Sequence, residues 1–225
     1  VAVPSRLVVY TDGSGGKYSS DVRLRRCGWS AVIFYCSFDA NGQPRFHIID
    51  VIDGTLPGFK QSVPRAEIMA VIQALAFWSE GCETIEIITD CDHVWRHFSA
   101  SDKWGDLANS DLWLELGRRK RGTNAAITCR WVPAHTTASE LVQNKIDIPD
   151  FIGNHIADCY VALGALQHQA SQERVATLAL CDSRTWLVLR RLLAITAVCS
   201  ELSPAPPRRA RGGRKGCCKA PPLLR

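Results

Sequence analysis

Leu7–Gly16 reads LVVYTDGSGG, an apolar run that passes directly into a glycine-rich polar segment. The β-branched and aromatic residues of LVVY favour a strand, and the Asp, Ser and Gly residues after them favour a turn. We therefore predict a first strand over Leu7–Tyr10 and a turn over Thr11–Gly16. This places Asp12 at the C-terminal end of the strand, where its side chain can face a crevice.

Two more strand patterns follow. Trp29–Tyr35 and Phe46–Ile52 are rich in apolar and β-branched residues, and Asn41-Gly42 between them is typical of a hairpin turn. Short connections of this kind join antiparallel strands. The chain is therefore predicted to open with three antiparallel strands.

The rest of the chain alternates strands with helices. Arg65–Ser79 (RAEIMAVIQALAFWS) has apolar residues three and four apart, with Pro64 suited to a first helical turn and Gly81 just past the end. Because strands separated by helices pair in parallel, we predict an α/β fold with a mixed five-stranded sheet and helices on both faces. The other predicted elements are a strand at Thr84–Thr89, helices at Asp92–Phe98 and Ser110–Arg121, a strand at Ala126–Val132, a polar loop at Ala134–Pro149 and a helix at Phe151–Gln167.

Composition divides the 225 residues into a folded part and a basic end. Hydrophobic residues make up 46% and charged residues 22%, as in soluble globular domains. Of the 27 Lys and Arg residues, seven lie in Pro204–Arg225, which leaves 20 basic and 22 acidic residues in 1–203. We predict a globular domain over 1–168, an appended amphipathic helical segment over 169–203 and a disordered basic tail over 204–225.

The cysteines and the chain start bear on where the protein works. Ten cysteines are scattered without CxxC spacing, which favours reduced thiols in a cytoplasmic or nuclear protein. The start has neither a pattern typical of a secretory signal nor a Met, which suggests a fragment of a longer polypeptide. The apolar run Trp186–Cys199 is interrupted by Arg190 and Arg191, so we predict no membrane partner.

Four acidic residues are predicted to converge. Asp12 and Asp90 each follow a strand, and the carboxyl ends of neighbouring strands face one crevice. Glu67 lies in the first turn of the long helix, and Asp158 lies about two turns into the last one. Carboxylates suit Mg²⁺ or Mn²⁺, whereas the scattered Cys and His residues offer zinc no comparable site. Each acid alone also has an ordinary explanation, as a turn residue, a helix-dipole partner or an N-cap.

Six short motifs surround these acids. They are YTDGSGG after the first strand, PRAEIMAVIQAL on the first helix, ITDCDHV after the fourth strand, NSDLWLEL on a later helix, WVPAH after the fifth strand and NHIADCYV on the last helix. In this order and spacing they resemble the type 1 ribonuclease H family over most of residues 6–165. The resemblance implies a ribonuclease H-like fold with strand order 3-2-1-4-5 and a catalytic domain over 1–168.

The resemblance also implies an activity. It is that of an endonuclease that hydrolyses the RNA strand of RNA/DNA hybrids by two-metal-ion catalysis, without a small-molecule cofactor. Two Mg²⁺ ions, or Mn²⁺ instead, would be held by the four acids. Asp12 would bridge the ions, Glu67 and Asp90 would hold one, and Asp158 would hold the other.

The same resemblance extends to residues around the acids. His135 would move a proton or help the product to leave, although a solvated loop histidine is the ordinary alternative. Residues 136–153 form a longer loop than compact relatives have, so the position of His135 depends on that loop. The substrate-binding residues implied are Gly13, Ser14, Gly15, Arg65 and Asn154.

Other functions fit part of the pattern. A catalytically inactive ribonuclease H-like module of a larger polyprotein would bind nucleic acid without cleaving it, but such modules tend to lose an acid. A transposase or integrase core shares the fold, but normally shows three acids and lacks the NHIAD motif. The extension after the last motif resembles the ribonuclease H segment of a retrotransposon polyprotein, which implies a reverse transcriptase domain as a partner.

Overall fold

The computed structural model describes residues 6–78, 83–143 and 146–202. The described chain opens with three strands, continues with alternating helices and strands and ends with three helices, and a short 3-10 helix lies at Ser101–Asp106. The strands are β1 (Arg6–Ser14), β2 (Gly28–Phe38), β3 (Pro44–Thr55), β4 (Thr84–Thr89) and β5 (Ala126–Trp131). The α-helices are α1 (Val63–Trp78), α2 (Asp92–His97), α3 (Ser110–Arg121), α4 (Ala138–Val142), α5 (Ile148–Leu166) and α6 (Gln172–Leu202).

The five strands form one mixed sheet in the order β3-β2-β1-β4-β5. β1, β2 and β3 pair antiparallel, and β4 and β5 continue the sheet in parallel with β1. The hairpin between β2 and β3 turns at Gly42, which has a φ of 73° as the Asn-Gly pattern predicts. The predicted fold and strand order are therefore confirmed.

Each face of the sheet is covered by helices. Side chains of a strand point alternately to the two faces, so neighbours in β1 and β4 enter different cores. Val9 and Ile87 pack with α1 and α3, whereas Tyr10 and Ile88 pack with α5. Helices on both faces are thus confirmed, and the two cores hold β1 and β4 at the centre of the sheet.

β2, β3 and α1 begin earlier than predicted, and two further differences bear on the acidic residues and the loop after β5. β1 continues to Ser14 because residues 9–14 pair with β2, so Asp12 lies inside the strand rather than in a turn. The predicted polar loop contains α4, where Glu140 accepts a hydrogen bond from the Thr137 backbone at 2.8 Å in a capping box. Helix α5 begins at Ile148, so the last third of the 136–153 loop is helical.

The chain divides into two compact units, residues 1–172 and 173–225. In the second unit α6 is a single helix in which no residue is buried. No described helix is long and apolar enough to cross a membrane. The predicted tail over 204–225 and Gly81 lie outside the described residues, and the domain bounds at 168 and 203 stay predictions.

Candidate active site

The ends of β1 and β4 bring acidic residues together. The parallel ladder between these strands ends at the pair Thr11 and Thr89, so the next residues, Asp12 and Asp90, lie side by side. Glu67 in α1 joins them, and one carboxylate oxygen from each acid lies within 4.8 Å of the others. We call Asp12, Glu67 and Asp90 the carboxylate cage.

Glu67 reaches the cage because α1 starts in close contact with β1. A Cβ on Gly13 would lie 2.4 Å from the Glu67 backbone nitrogen and 2.8 Å from the Ala66 carbonyl carbon. Any side chain at this position would push the helix away from the strand. The Gly13 N–H also donates to Asp12 Oδ1 at 2.7 Å, which orients that carboxylate.

Burial and mutual repulsion disfavour ionised carboxylates in the cage. Burial, with the charges of Asp90 and Asp158, raises the pKa of Asp12 to about 7. Burial and then the charges of Asp12 and Asp90 raise the pKa of Glu67 well above its ordinary value. Burial also raises the pKa of Asp90, against the hydrogen bond from Asn154, which lowers it. Without metal the cage therefore tends to hold protons, which a divalent cation would displace.

The donor set of the cage fits a hard divalent cation. Asp12 and Glu67 are only 9% and 5% exposed. Glu67 Oε2 is buried and has no hydrogen-bond partner in the described part of the chain, although an unpaired buried carboxylate oxygen is costly. The cage contains carboxylates without thiolate or imidazole, the ligand type that Mg²⁺ and Mn²⁺ prefer over zinc.

A cleft beside Asp90 holds other predicted residues. Asn154 Nδ2 donates to Asp90 Oδ2 at 3.4 Å. Asp158 is exposed and is not part of the 4.8 Å group, but its charge raises the pKa of both Asp12 and Asp90. The structure therefore brings Asp158 to the open side of the cage. The cleft is lined by Asp90, His135, Thr136, Phe151, Asn154, His155 and Asp158.

His135 lines the same cleft from the other side. It follows β5 and has a φ of 48°, a left-handed conformation that is strained for a residue with a Cβ. Its side chain is exposed, and its electrostatic interaction with Asp90 lowers the pKa of that carboxyl. His135 thus lies at the same cleft as Asp90 and Asp158.

The predicted substrate-binding residues lie on the segments that carry Asp12 and Glu67. Gly13 and Gly15 are buried, and Ser14 is half-buried. Arg65 is also buried, and its guanidinium donates to both oxygens of Asp111, at 2.8 and 2.7 Å. Arg65 is thereby held in one orientation, and binding of substrate by these residues stays a prediction.

Several hydrogen-bond partners of the site residues could not be predicted from spacing in the sequence. Asn109 Oδ1 accepts from Arg65 at 3.4 Å across 44 residues. Trp131 Nε1 donates to the Asp90 carbonyl at 3.0 Å across 41 residues. Asp111 and Trp131 lie in the motifs NSDLWLEL and WVPAH, so the motifs mark the right segments but not these contacts.

The sheet order and the carboxylate cage at the ends of β1 and β4 define a protein of the ribonuclease H-like class. A comparison with protein families matches the RNase H family over residues 4–165. The chain belongs to the RNase H family. No curated protein matched the chain.

Solved structures with the same fold include an RNase H domain, a type 1 RNase H and a foamy viral protease-reverse transcriptase. The PFV RNase H domain has a TM-score of 0.52 and 19% identity, covering 71% of this chain and 94% of that domain. LC9-RNase H1, a type 1 RNase H with the type 2 active-site motif, has a TM-score of 0.53 and 18% identity, covering 74% of this chain and 75% of that one. A foamy viral protease-reverse transcriptase in complex with RNA/DNA hybrid has a TM-score of 0.52 and 19% identity, covering 72% of this chain and 20% of that one.

Proposed function

We propose that this protein is an endonuclease that hydrolyses the RNA strand of RNA/DNA hybrids by two-metal-ion catalysis. The observation that carries the proposal is the carboxylate cage. Asp12, Glu67 and Asp90 meet at the ends of adjacent strands, and a buried oxygen of Glu67 has no partner among the described residues. Membership of the RNase H family supports the same conclusion.

The cage and Asp158 would share two Mg²⁺ ions, with Mn²⁺ as an alternative. Asp12 would be shared by the two ions, because it lies on the central strand of the sheet and the charges of both Asp90 and Asp158 act on its carboxylate. When bound, the ions supply activation of the attacking water and stabilisation of the leaving 3′ oxygen. Glu67 and Asp90 would hold one ion, and Asp158 the other.

The chain's own residues prepare this site. Burial of Asp12 and Glu67 keeps water from competing for their oxygens, and the hydrogen bond from the Gly13 N–H orients the Asp12 carboxylate before any ligand binds. Asn154 fixes Asp90 by its amide hydrogen bond. His135, exposed at the edge of the cleft, would transfer a proton to the product or help it to leave.

Hybrid recognition would use the backbone of Gly13, Ser14 and Gly15 together with Arg65 and Asn154. The Oδ1 atom of Asn154 and the Nε atom of Arg65 are buried and lack a hydrogen-bond partner in the described ranges. Asn154 Oδ1 would accept a hydrogen bond from a 2′-hydroxyl and Arg65 Nε would donate one to a 2′-hydroxyl oxygen, the group that distinguishes an RNA strand from DNA. The foamy viral structure solved with an RNA/DNA hybrid has the same fold.

We also propose that the chain acts within a retrotransposon-type polyprotein beside a reverse transcriptase domain. The support is the foamy viral protease-reverse transcriptase, of which this chain matches a fifth. The test is the reading frame upstream of Val1 in the transcript. A polymerase-coding frame continuous with this sequence is expected, whereas a start codon directly preceding it would contradict the proposal.

The activity is tested with a labelled RNA/DNA hybrid, duplex DNA and duplex RNA in Mg²⁺. We expect cleavage of the RNA strand of the hybrid only, and loss of cleavage in Asp12→Asn. A hybrid bound but left uncut by the unmodified chain would instead favour an inactive binding module. Equal cleavage by Asp12→Asn would exclude the carboxylate cage as the catalytic centre.

A further inference from the structure

A chain of alternating charges ties β1, β4 and β5 to the first turn of α5. Arg130 in β5 donates to both oxygens of Asp150, at 2.5 and 2.9 Å. The Tyr10 hydroxyl in β1 donates to Asp150 Oδ1 at 3.0 Å. Arg130 also donates to Glu86 at 2.9 Å, and Glu86 accepts from Arg6 at 3.0 Å. We call Tyr10, Arg130 and Asp150 the α5 clamp.

The clamp is geometrically restrictive. Asp150 is 6% exposed, so its carboxylate depends on these hydrogen bonds to replace water. The planar guanidinium of Arg130 engages both carboxylate oxygens, which fixes direction as well as distance. Burial, followed by the charge of Asp150, raises the pKa of Tyr10, so its hydroxyl keeps the proton that it donates.

The residue held by the clamp shares a helix face with the site. Asp150, Asn154 and Asp158 are spaced four residues apart, which places them on one side of α5. Gly153 allows the same turn to pack closely against the sheet, since a Cβ there would lie 2.5 Å from the Tyr10 ring. A shift of the first turn along the helix axis would therefore carry Asn154 and Asp158 away from the cage.

The backbone alone holds this turn weakly. β5 ends at Trp131 and α5 begins at Ile148, and the short helix α4 between them has no buried residue that would anchor it to the sheet. The Arg130–Asp150 pair spans the same gap directly, between residues 20 apart. The position of α5 relative to β5 thus depends on side chains rather than on the connecting segment.

We infer that Asp150 is a positioning residue, which through Arg130 and Tyr10 sets the place of Asn154 and Asp158 against the carboxylate cage. Its importance for catalysis rests on the proposed function. The effect of Asp150 on the position of Asn154 and Asp158 can be tested without that function, because the side-chain amide of Asn154 and the affinity for metal are measurable without substrate.

The test uses the full chain and the variants Asp150→Asn and Arg130→Gln. The Asn154 side-chain amide is followed by ¹⁵N–¹H NMR without metal, with its signal assigned from its loss in Asn154→Ser. Affinity for Mn²⁺ is followed by electron paramagnetic resonance. We expect the Asn154 signal to move or broaden in both variants, and Mn²⁺ affinity to fall about tenfold, as for other groups that orient metal ligands indirectly.

Two controls separate position from stability. Leu116→Ala removes a fully buried side chain in α3, on the opposite face of the sheet, and lowers stability without touching the clamp. Arg6→Gln breaks the outer ion pair with Glu86 and leaves Asp150 paired. Compared at equal folded fraction, both controls should keep the Asn154 signal and the Mn²⁺ affinity of the unmodified chain.

An unchanged Asn154 signal and unchanged Mn²⁺ affinity in folded Asp150→Asn would overturn the inference, as would equal changes in Leu116→Ala. If the two clamp variants do not fold, Arg130→Lys keeps the charge without the two-pronged contact and should show the same changes in smaller degree. Changes in both readouts from a chain that cleaves no hybrid would support the clamp while contradicting the proposed function.

Discussion

Asp12 and Glu67 combine two properties that oppose each other in a folded protein. Both are buried, and both lie within a few ångströms of other carboxylates, so their ionised forms are destabilised. The pKa of Asp12 is raised to about 7, and the pKa of Glu67 is raised well above its ordinary value. Without a bound cation, the carboxylate cage therefore lowers the stability of the folded state.

The raised pKa of Asp12 predicts how the stability of the metal-free protein depends on pH. The folded pKa of Asp12 is above its unfolded value near 4, so the folded state binds more protons between these values and stability falls as pH rises from about 4 through about 7. Asp12→Asn should remove this contribution and make the metal-free protein more stable than the unmodified chain at pH 8, by on the order of 2–4 kcal/mol. Urea unfolding in a chelator at pH 5 and pH 8 measures it. An identical pH dependence in the two proteins would contradict the prediction, and saturating Mg²⁺ should reverse their order.

The backbone of His135 gives a second prediction at this scale. Because its φ of 48° is strained for residues with a Cβ, His135→Gly should be more stable than His135→Ala by about 1 kcal/mol. Both variants should slow hybrid cleavage and keep Mn²⁺ affinity, since the imidazole is not assigned to the metal. Urea unfolding and single-turnover kinetics check the two parts. Equal stability of the variants would mean that the loop relaxes around alanine.

At the scale of elements, the approach of α1 to β1 decides whether Glu67 reaches the cage. Gly13→Ala would place a methyl group 2.4 Å from the Glu67 backbone, so the helix must move outward. We expect a loss of about 1–3 kcal/mol in unfolding free energy and a weaker stabilisation by Mg²⁺. Gly105→Ala is the matched control, because a Cβ there has nothing within 4 Å. If Mg²⁺ stabilises Gly13→Ala as much as it stabilises the control, the spacing of α1 and β1 does not govern the cage.

Element bounds could be predicted where they depend on adjacent residues. β4 and α3 begin and end as predicted, at Thr84–Thr89 and Ser110–Arg121, because strand and helix periodicity are local. The extension of β1 through Asp12 could not be predicted, because it depends on pairing with β2. α4 was hidden in a polar segment, although Thr137 and Glu140 have the spacing of a capping box.

The same distinction between local patterns and long-range contacts applies to the candidate site. The motifs pointed to Asp12, Glu67 and Asp90, which the structure brings together, and to Asp158, which it places at the open side. The pairing of Arg130 with Asp150 had no local signal, because it depends on how α5 lies on the sheet. Long-range partners that orient a site are therefore the part that sequence patterns leave out.

At the scale of the whole molecule, every buried apolar residue of the described chain lies between Leu7 and Ala165. A chain ending at Gln172 should therefore keep the unfolding free energy and hybrid cleavage of the full chain. It should also show a weaker salt dependence of hybrid binding, since the seven basic residues of Pro204–Arg225 are removed. Urea unfolding and binding measured across a series of salt concentrations test this. Loss of folding on truncation would show that the second unit is required by the first.

The most direct measurement of the proposed chemistry is the nature of the RNA ends. Hydrolysis by a water molecule at the carboxylate cage leaves a 3′-hydroxyl and a 5′-phosphate, because the 3′ oxygen departs. Fragments from a hybrid cut in Mg²⁺ should carry these ends, and none should form in a chelator or with Asp12→Asn. Fragments ending in a 2′,3′-cyclic phosphate, or cleavage that continues without divalent metal, would contradict a metal-dependent carboxylate cage.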